Sequence, residues 1–147
     1  DMRNPFVNKY DAVFNLFTSF GYFKDDAEDI NVLLNIKKGL KNNGLAVIDF
    51  LNVFYVKNNL VKNEVKSING IDFFINRKIE NGFIIKEIEF TIEGKEYSFF
   101  ERVKYLDLEK FTSYFRKAGL KINHTFGNYN LDVFDKETSK RLIFVVS

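Results

Sequence analysis

Two apolar runs separated by a helix-like segment dominate the first third of the chain. The run from Tyr10 to Phe17 is continuously apolar from Ala12 onward except at Asn15, which is typical of a strand buried on both faces. The second run, LAVIDF, spans residues 45–50. A strand, a helix and a strand joined by short connections predict a right-handed crossover between parallel strands.

The segment between these two runs has helical periodicity. Its apolar positions recur at helical intervals and are Ala27, Ile30, Leu33, Leu34 and Leu40. Acidic residues at its start and lysines at its end suit the helix dipole, and Gly44 is the expected stop signal. The preceding loop, Thr18 to Phe23, brings small polar residues and a glycine to the end of a strand, where open α/β sheets bind ligands.

The second half of the chain predicts β-hairpins followed by a helix. The β-rich runs IDFFINRKI, FIIKEIEFTI and YSFFERVKYL are separated by short connections containing Gly82 and Gly94, which predicts an antiparallel meander. Residues 57–67 indicate no clear element. Helical spacing returns from Asp107, a plausible N-cap, and stops at Gly119. The closing segments, KINHTFGNYNLDVF and RLIFVVS, predict two strands joined by the polar turn DKETSK.

Composition excludes several classes of protein. The 147 residues are 46% hydrophobic, which is enough for one domain with a core. The formal charge of +2 is spread over mixed lysines and acids, which argues against a nucleic-acid-binding surface. The absence of cysteine excludes disulfides and thiolate metal sites, and no apolar run is long enough to span a bilayer. We therefore expect a soluble, cytoplasmic protein without nucleic-acid or membrane partners.

Four segments in a fixed order carry a resemblance to a known family. They are DMRNPF, YDAVFNLFTSFGYF, the helix ending in LKNNGLAVIDFLN, and KAGL with the closing hairpin. Together they resemble the C-terminal half to two-thirds of a class I S-adenosylmethionine-dependent methyltransferase. The likeness is weakest from Val53 to Lys104.

The resemblance implies an α/β fold that contains strands four to seven of a Rossmann-like sheet, the last of them antiparallel. The run at 10–17 corresponds to strand four, the run at 45–50 to strand five, and residues 141–146 to the reversed strand seven. Residues 1–147 would form a single domain in which residues 53–106 are a β-rich insertion over the substrate pocket. No glycine-rich cofactor turn occurs in the chain, so we expect a truncated methyltransferase.

The resemblance also implies a site for the cofactor S-adenosylmethionine. Asp1 corresponds to the carboxylate that binds the adenine amino group, and Met2 to the residue that packs on the ring. From the residues alone, an unpaired amide at Asn15 would be costly inside an apolar strand, so its partner is either a neighbouring loop or the cofactor. For Phe17, core packing is an equal explanation. The full set implied for the cofactor is Asp1, Met2, Phe14, Asn15, Leu16, Thr18, Ser19 and Gly21.

Fewer sequence signals indicate the residues that would bind the methyl acceptor. Tyr22 is the candidate catalytic residue because it could orient or deprotonate an acceptor, although an ordinary phenol is a weak base. The segment TSFGY resembles a segment of related sugar N-methyltransferases, which is compatible with an amine acceptor. The set implied for substrate binding is Tyr22, Asn52, Phe54, Tyr55 and Arg102. A turn cap is the alternative role of Asn52, and a surface salt bridge is that of Arg102.

These features predict methyl transfer from S-adenosylmethionine to a small molecule. No metal is expected, because His124 is the only histidine and lacks acidic neighbours in its strand. The alternative function is a non-catalytic α+β interaction or dimerisation module. Without the strand that pairs with it in the family, the run at 10–17 would be an open edge. We therefore expect the isolated chain to be inactive and to self-associate, most simply as a dimer.

Overall fold

The computed structural model describes residues 1–147. In chain order its elements are β1 (Tyr10–Asn15), α1 (Asp26–Gly39), β2 (Leu40–Leu51), α2 (Val53–Asn58), β3 (Asn63–Ile68), β4 (Ile71–Glu80), β5 (Phe83–Ile92), β6 (Lys95–Lys104), α3 (Leu108–Ala118), β7 (Ile122–Phe126) and β8 (Arg141–Val146). Their contacts divide the chain into two units, residues 1–56 with 106–147 and residues 57–105.

The first unit contains a four-stranded mixed sheet in the order β1-β2-β8-β7. β1 is parallel to β2, while β8 is antiparallel to both of its neighbours, β2 and β7. The parallel pairing of the two N-terminal runs confirms the predicted crossover of strand, helix and strand. The reversed β8 pairs Arg141 with Leu51, so the start of β8 lies at the carboxyl end of β2.

β1 lies at the edge of this sheet. The prediction that it is buried on both faces is wrong, since most of its residues are exposed and 64% of Phe14 is accessible. The reason is topological: within this sheet only β2 pairs with β1, which confirms the expected open edge, and the periodicity of one apolar run does not distinguish an edge strand from a central one.

The boundary between α1 and β2 also differs from the prediction. α1 ends at Gly39, and β2 already begins at Leu40, so Gly44 is not the helix stop. A Cβ at Gly39 would lie 2.6 Å from the Phe6 ring, and one at Gly44 would lie 2.9 Å from the Tyr10 carbonyl oxygen. Both glycines therefore allow close packing, and Gly44 does so where the register of β1 and β2 shifts.

The predicted helix after residue 107 is confirmed. The Asp107 side chain accepts a hydrogen bond from the Lys110 backbone N–H at 2.8 Å, and Gly119 ends the helix with a φ of 71°. Both signals act over a few residues, which makes them readable from sequence.

The short helix α2 was not predicted. No helix is long and apolar enough to cross a membrane.

An aromatic cluster around Phe111 joins α3 to the sheet. The Phe111 ring centroid lies 5.0 Å from that of Phe144, 5.1 Å from that of Phe50 and 5.6 Å from that of Phe20. All four rings are inaccessible to solvent. Burial of these rings packs β2 and β8 against α3. It thereby fixes the carboxyl end of β2 and the start of β8, where both strands join loops.

The second unit is an antiparallel sheet in the order β3-β4-β5-β6. The three predicted strands of the meander are present, and β3, in the segment with no predicted element, pairs with β4. Each hairpin turn has two central residues with positive φ: Asn69 and Gly70, Asn81 and Gly82, and Glu93 and Gly94. That combination defines type I′ turns, whose twist matches the flanking strands.

Candidate functional site

Asp49 is a fully buried carboxylate near the carboxyl end of β2. Its Oδ1 atom accepts a hydrogen bond from Arg141 Nε at 2.8 Å, and Arg141 Nη2 lies 2.7 Å from the same oxygen. Its Oδ2 atom accepts from the Phe17 backbone N–H at 2.8 Å and from the Tyr129 hydroxyl at 3.0 Å. The buried charge is therefore paired and hydrogen-bonded, as a buried carboxylate must be.

The loop after β1 is bound to this carboxylate. The Thr18 N–H donates to the Asp49 carbonyl oxygen at 3.1 Å, and the Thr18 hydroxyl accepts from Arg141 Nη2 at 3.0 Å. Phe17 and Thr18 both adopt left-handed backbone conformations, with φ of 58° and 61°. Such values are uncommon for bulky or β-branched residues, so the bonds to Asp49 and Arg141 hold an otherwise unfavourable turn.

Tyr129 approaches Asp49 from the loop between β7 and β8. Desolvation of its hydroxyl and the hydrogen bond to Asp49 hold the pKa of Tyr129 above its ordinary value. The phenol therefore stays protonated at neutral pH and donates to the carboxylate. Its ring also lies 5.9 Å from the Arg141 guanidinium carbon, within cation–π range.

A cavity of about 450 Å³ lies beside β1. It is bordered by the N-terminal segment, β1 and α1, and its lining residues are Asp1, Met2, Asn4, Pro5, Phe6, Val13, Phe14, Asn15, Val32 and Ile36. Asn15 donates from Nδ2 to the Met2 sulfur at 3.2 Å, but its Oδ1 atom is buried without a hydrogen-bond partner. Native structures rarely leave a buried acceptor unpaired, so this residue of the cavity lining still has a hydrogen bond to make.

The N-terminal segment is held in place by Arg3. Its guanidinium pairs with the Asp1 carboxylate and donates to Glu28 at 2.9 Å. The Arg3 carbonyl oxygen accepts from Asn35 Nδ2 at 2.8 Å, which ties the segment to α1. The Asp1 carboxylate is thus oriented by a cation rather than solvated at a frayed terminus.

The predicted acceptor residues lie in three different places. Asn52 is buried and fully engaged: its Nδ2 donates to the carbonyl oxygens of Lys136 and Ser139, each at 2.8 Å, and its Oδ1 accepts from the Phe54 N–H at 3.1 Å. The bond to Phe54 caps the start of α2, and the other two bonds attach the β7–β8 loop to it. The Phe54 ring packs under the Lys136 ammonium at 4.9 Å.

The other acceptor candidates lie in α2, in the loop after β1 and in the second unit. Tyr55 lies in α2 and is half-buried, whereas Tyr22 is largely exposed in the loop after β1. Arg102 belongs to the second unit, where its guanidinium carbon stacks 3.6 Å from the Phe83 ring centroid.

Comparison with known proteins identifies the fold. No protein-family model matches the chain, and no curated protein matches it. Among solved structures, an S-adenosylmethionine-dependent methyltransferase from Clostridium acetobutylicum aligns with a TM-score of 0.86 at 16% identity, covering 100% of this chain and 62% of that one. The chain has the class I methyltransferase fold.

Two further solved structures agree with this assignment of fold. The methyltransferase CcbJ from Streptomyces caelestis aligns with a TM-score of 0.83 at 17% identity, covering 99% of this chain and 61% of its own. CalS10, an S-adenosylmethionine-bound amino pentose methyltransferase from Micromonospora echinaspora, aligns with a TM-score of 0.71 at 17% identity, again with 99% and 61% covered. The chain spans less than two-thirds of the length of these methyltransferases.

The methyltransferase fold brings together part of the predicted cofactor set. Asp1, Met2, Phe14 and Asn15 all line the cavity of about 450 Å³ beside β1. Leu16, Thr18, Ser19 and Gly21 lie in the adjoining loop, where the Leu16 carbonyl accepts from the Ser19 N–H at 3.3 Å and Gly21 has a φ of 82°. The loop thus continues from the strand that forms one wall of the cavity.

The cavity has the size and lining of a small-molecule site. Its volume is within the roughly 300–1,000 Å³ typical of small-molecule sites, and apolar walls with a few polar atoms match such sites. Among its lining residues, Asn15 has a buried oxygen, Oδ1, that still lacks a hydrogen-bond donor. A second cavity of about 480 Å³ lies around Lys9 and Lys41, but Lys41 is already paired with Asp11 at 2.8 Å.

Sequence reasoning missed Asp49, Arg141 and Tyr129 as functional candidates. One signal was available: Asp49 is the only charged residue within the apolar run LAVIDF, and a buried charge requires a partner. The identity of that partner was not readable, because Arg141 is 92 positions away along the chain.

Proposed function

We propose that the complete protein transfers a methyl group from S-adenosylmethionine to a small-molecule acceptor. The observation that carries the proposal is the cavity beside β1, with the buried acceptor of Asn15 on its wall, in a chain with a methyltransferase fold. In this proposal β1, β2, β7 and β8 are strands four, five, six and seven of the family's sheet. Their observed order and the reversed direction of β8 support that assignment.

The residues at the cavity would divide the binding of the cofactor between them. Met2 and Phe14 supply apolar surface, and Asn15 Oδ1 supplies a hydrogen-bond acceptor. Asp1, oriented by Arg3, adds a carboxylate at the rim. The cofactor supplies a methyl group made electrophilic by its sulfonium, so the protein contributes alignment, proximity and exclusion of water.

An amine is the acceptor class that we favour. The segment TSFGY resembles that of sugar N-methyltransferases, and one of the aligned solved structures is described as an amino pentose methyltransferase. Tyr22 follows the strained turn and is exposed at the end of β1. Its hydroxyl would orient the acceptor amine by a hydrogen bond, a role that requires no change in its protonation.

Isothermal titration of the complete protein with S-adenosylmethionine and S-adenosylhomocysteine tests the cofactor assignment. We expect Asn15→Leu to weaken both dissociation constants about tenfold, because a hydrogen bond to the cofactor contributes about 1–1.5 kcal/mol. Thermal stability should be unchanged or higher, since the buried unpaired oxygen is removed. The matched control is Asn42→Leu, an exposed asparagine near the start of β2.

Two outcomes would contradict the proposal in different ways. No binding of either compound by the wild-type complete protein at high micromolar concentration would overturn the function. Tight binding that is equal in wild type and Asn15→Leu would support the proposed function but show that the cofactor binds outside this cavity.

A further inference from the structure

Phe17 and Thr18 form a turn in which Thr18 is buried but the Phe17 ring gains little from burial. Both residues have positive φ, and 76% of the Phe17 side chain is exposed. A phenylalanine in this conformation carries the steric cost of its Cβ without the benefit of a buried ring. The chain uses glycine for the same conformation nearby, at Gly21, so the turn is not built for minimum strain.

Asp49 holds the turn by accepting a hydrogen bond from the backbone N–H group of each turn residue. The Phe17 N–H bonds to the side chain of Asp49 at 2.8 Å, and the Thr18 N–H bonds to its main chain at 3.1 Å. A hydrogen bond from an amide to a carboxylate is charge-assisted and stronger than one between neutral groups. A single buried residue therefore fixes two successive peptide units.

Arg141 and Tyr129 in turn fix the Asp49 carboxylate. Arg141 binds Oδ1 and also reaches the Thr18 hydroxyl at 3.0 Å, while Tyr129 shares Oδ2 with the Phe17 N–H. The carboxylate cannot rotate without breaking bonds to three different segments. Because Arg141 begins β8 and Asp49 lies in β2, the rigid sheet determines the position of the loop.

We propose that Asp49 and Arg141 are positioning residues that preorganise the Phe17–Thr18 turn, which directly follows the cavity-lining residues Phe14 and Asn15 and would thereby place the end of β1 for the cofactor. This inference rests on the proposed function, and it assigns to Asp49 a role separate from contact with the ligand. The strain in the turn is offset by the bonds to the buried pair, so the binding-competent conformation is already populated before the cofactor arrives. Preorganisation of this kind raises the fraction of binding-competent molecules, and the apparent dissociation constant falls in proportion to that rise.

A pair of variants at Phe17 separates preorganisation from loss of the ring. Phe17→Ala removes the ring and keeps the steric cost of the left-handed conformation, whereas Phe17→Gly removes both the ring and that cost, because glycine adopts positive φ freely. In the complete Asp49→Asn protein, where the hold on the turn is weakened, we expect the added Phe17→Gly to bind S-adenosylhomocysteine about tenfold more tightly than the added Phe17→Ala. Its melting temperature should be equal or higher, because the steric strain is removed.

Glu93 provides the matched control pair. It has a φ of 51° in the hairpin between β5 and β6, so Glu93→Gly relieves similar strain relative to Glu93→Ala at a position without a proposed role. Both Glu93 variants should bind S-adenosylhomocysteine equally in the same Asp49→Asn background. Equal dissociation constants for the two Phe17 variants in that background would overturn the inference even if the protein is an active methyltransferase.

Amide hydrogen exchange tests the hold of Asp49 without any ligand. The Phe17 and Thr18 amides of the complete protein should exchange slowly, and Asp49→Asn should accelerate the exchange of Phe17, because the charge-assisted bond is lost. If Asp49→Asn fails to fold, the exchange of the Phe17 and Thr18 amides in wild type decides the question. Fast exchange of both amides in wild type would overturn the inference.

The two proposals fail in distinguishable ways. A wild-type protein with protected amides that binds neither S-adenosylmethionine nor S-adenosylhomocysteine would overturn the proposed function and the link to the cofactor, while supporting Asp49 as the holder of the turn. A protein that binds the cofactor but shows unprotected amides would overturn the preorganised turn alone.

Discussion

Arg141 Nη2 lies 2.7 Å from Asp49 Oδ1, and this ion pair joins the first residue of β8 to the carboxyl end of β2. The Asp49 side chain is 1% exposed and the Arg141 side chain 21%. A pair in this setting differs from the surface pairs of the chain, because removing one partner leaves the other charge poorly solvated.

We expect Asp49→Ala to lower the free energy of unfolding by about 3–5 kcal/mol, the usual result of breaking a buried ion pair. Chemical denaturation followed by circular dichroism measures the effect. The control is Glu101→Gln, which removes the partner of Lys86 in an exposed pair at 3.4 Å and should cost less than about 1 kcal/mol. Similar losses in the two variants would show that the Asp49 charge is not effectively buried.

The aromatic cluster predicts a large cavity effect at Phe111. Phe111→Ala should destabilise the protein by about 3–5 kcal/mol, because a fully buried ring with several ring contacts is removed. Phe100→Ala is the matched control, since 73% of Phe100 is exposed and its loss should change stability by no more than about 0.5 kcal/mol. Equal effects in urea titrations would contradict the assignment of the core.

The hairpin turns predict a stabilising substitution. Glu93 has a φ of 51°, a conformation that asparagine tolerates better than glutamate, so Glu93→Asn should stabilise the protein by about 0.5–1 kcal/mol. Asn81→Ala changes the corresponding position of another turn and should destabilise it by a similar amount. Thermal unfolding of both variants checks the two opposite signs, and a loss of stability in Glu93→Asn would argue against the type I′ turn.

Asp135 predicts a defined acid dependence. Hydrogen bonds from the Thr138 hydroxyl and from the Thr138 and Glu137 N–H groups hold the pKa of Asp135 below its usual value of 3.8. Because the folded-state pKa is depressed, its stabilising contribution is complete above 3.8 and is lost as the pH falls through the lower folded-state value. The stability difference between wild type and Asp135→Asn, measured by urea titration at successive pH values, should shrink over that interval. A constant difference would contradict the linkage.

The exposed edge of β1 predicts self-association of this chain. β1 has only β2 as a partner in its sheet, and Phe14 projects an exposed ring from it. An apolar edge strand is a template for pairing with a second copy. Gel filtration with light scattering should therefore show a dimer of residues 1–147 at about 100 µM, in the range where exposed edges associate. A stable monomer would show that the edge is protected.

Local signals in the sequence determined several elements of this protein correctly. Asp107 and Gly119 define the ends of α3, and glycines 82 and 94 mark hairpins between alternating strands. These features act through backbone geometry within a few residues, so the chain needs no distant partner to express them. The resemblance to methyltransferases depended on the same local segments taken in order.

Only the tertiary structure decided how far each apolar run is covered and which polar residues meet. The apolar run at β1 predicts burial on both faces, and its edge position followed only from the resemblance, because the periodicity of one strand does not encode strand order. Asp49 and Arg141 lie 92 positions apart, and they meet because the reversed β8 pairs with β2. Long-range pairing depends on the packing of whole elements, and so the residues that hold the loop beside the candidate site became visible only in the folded chain.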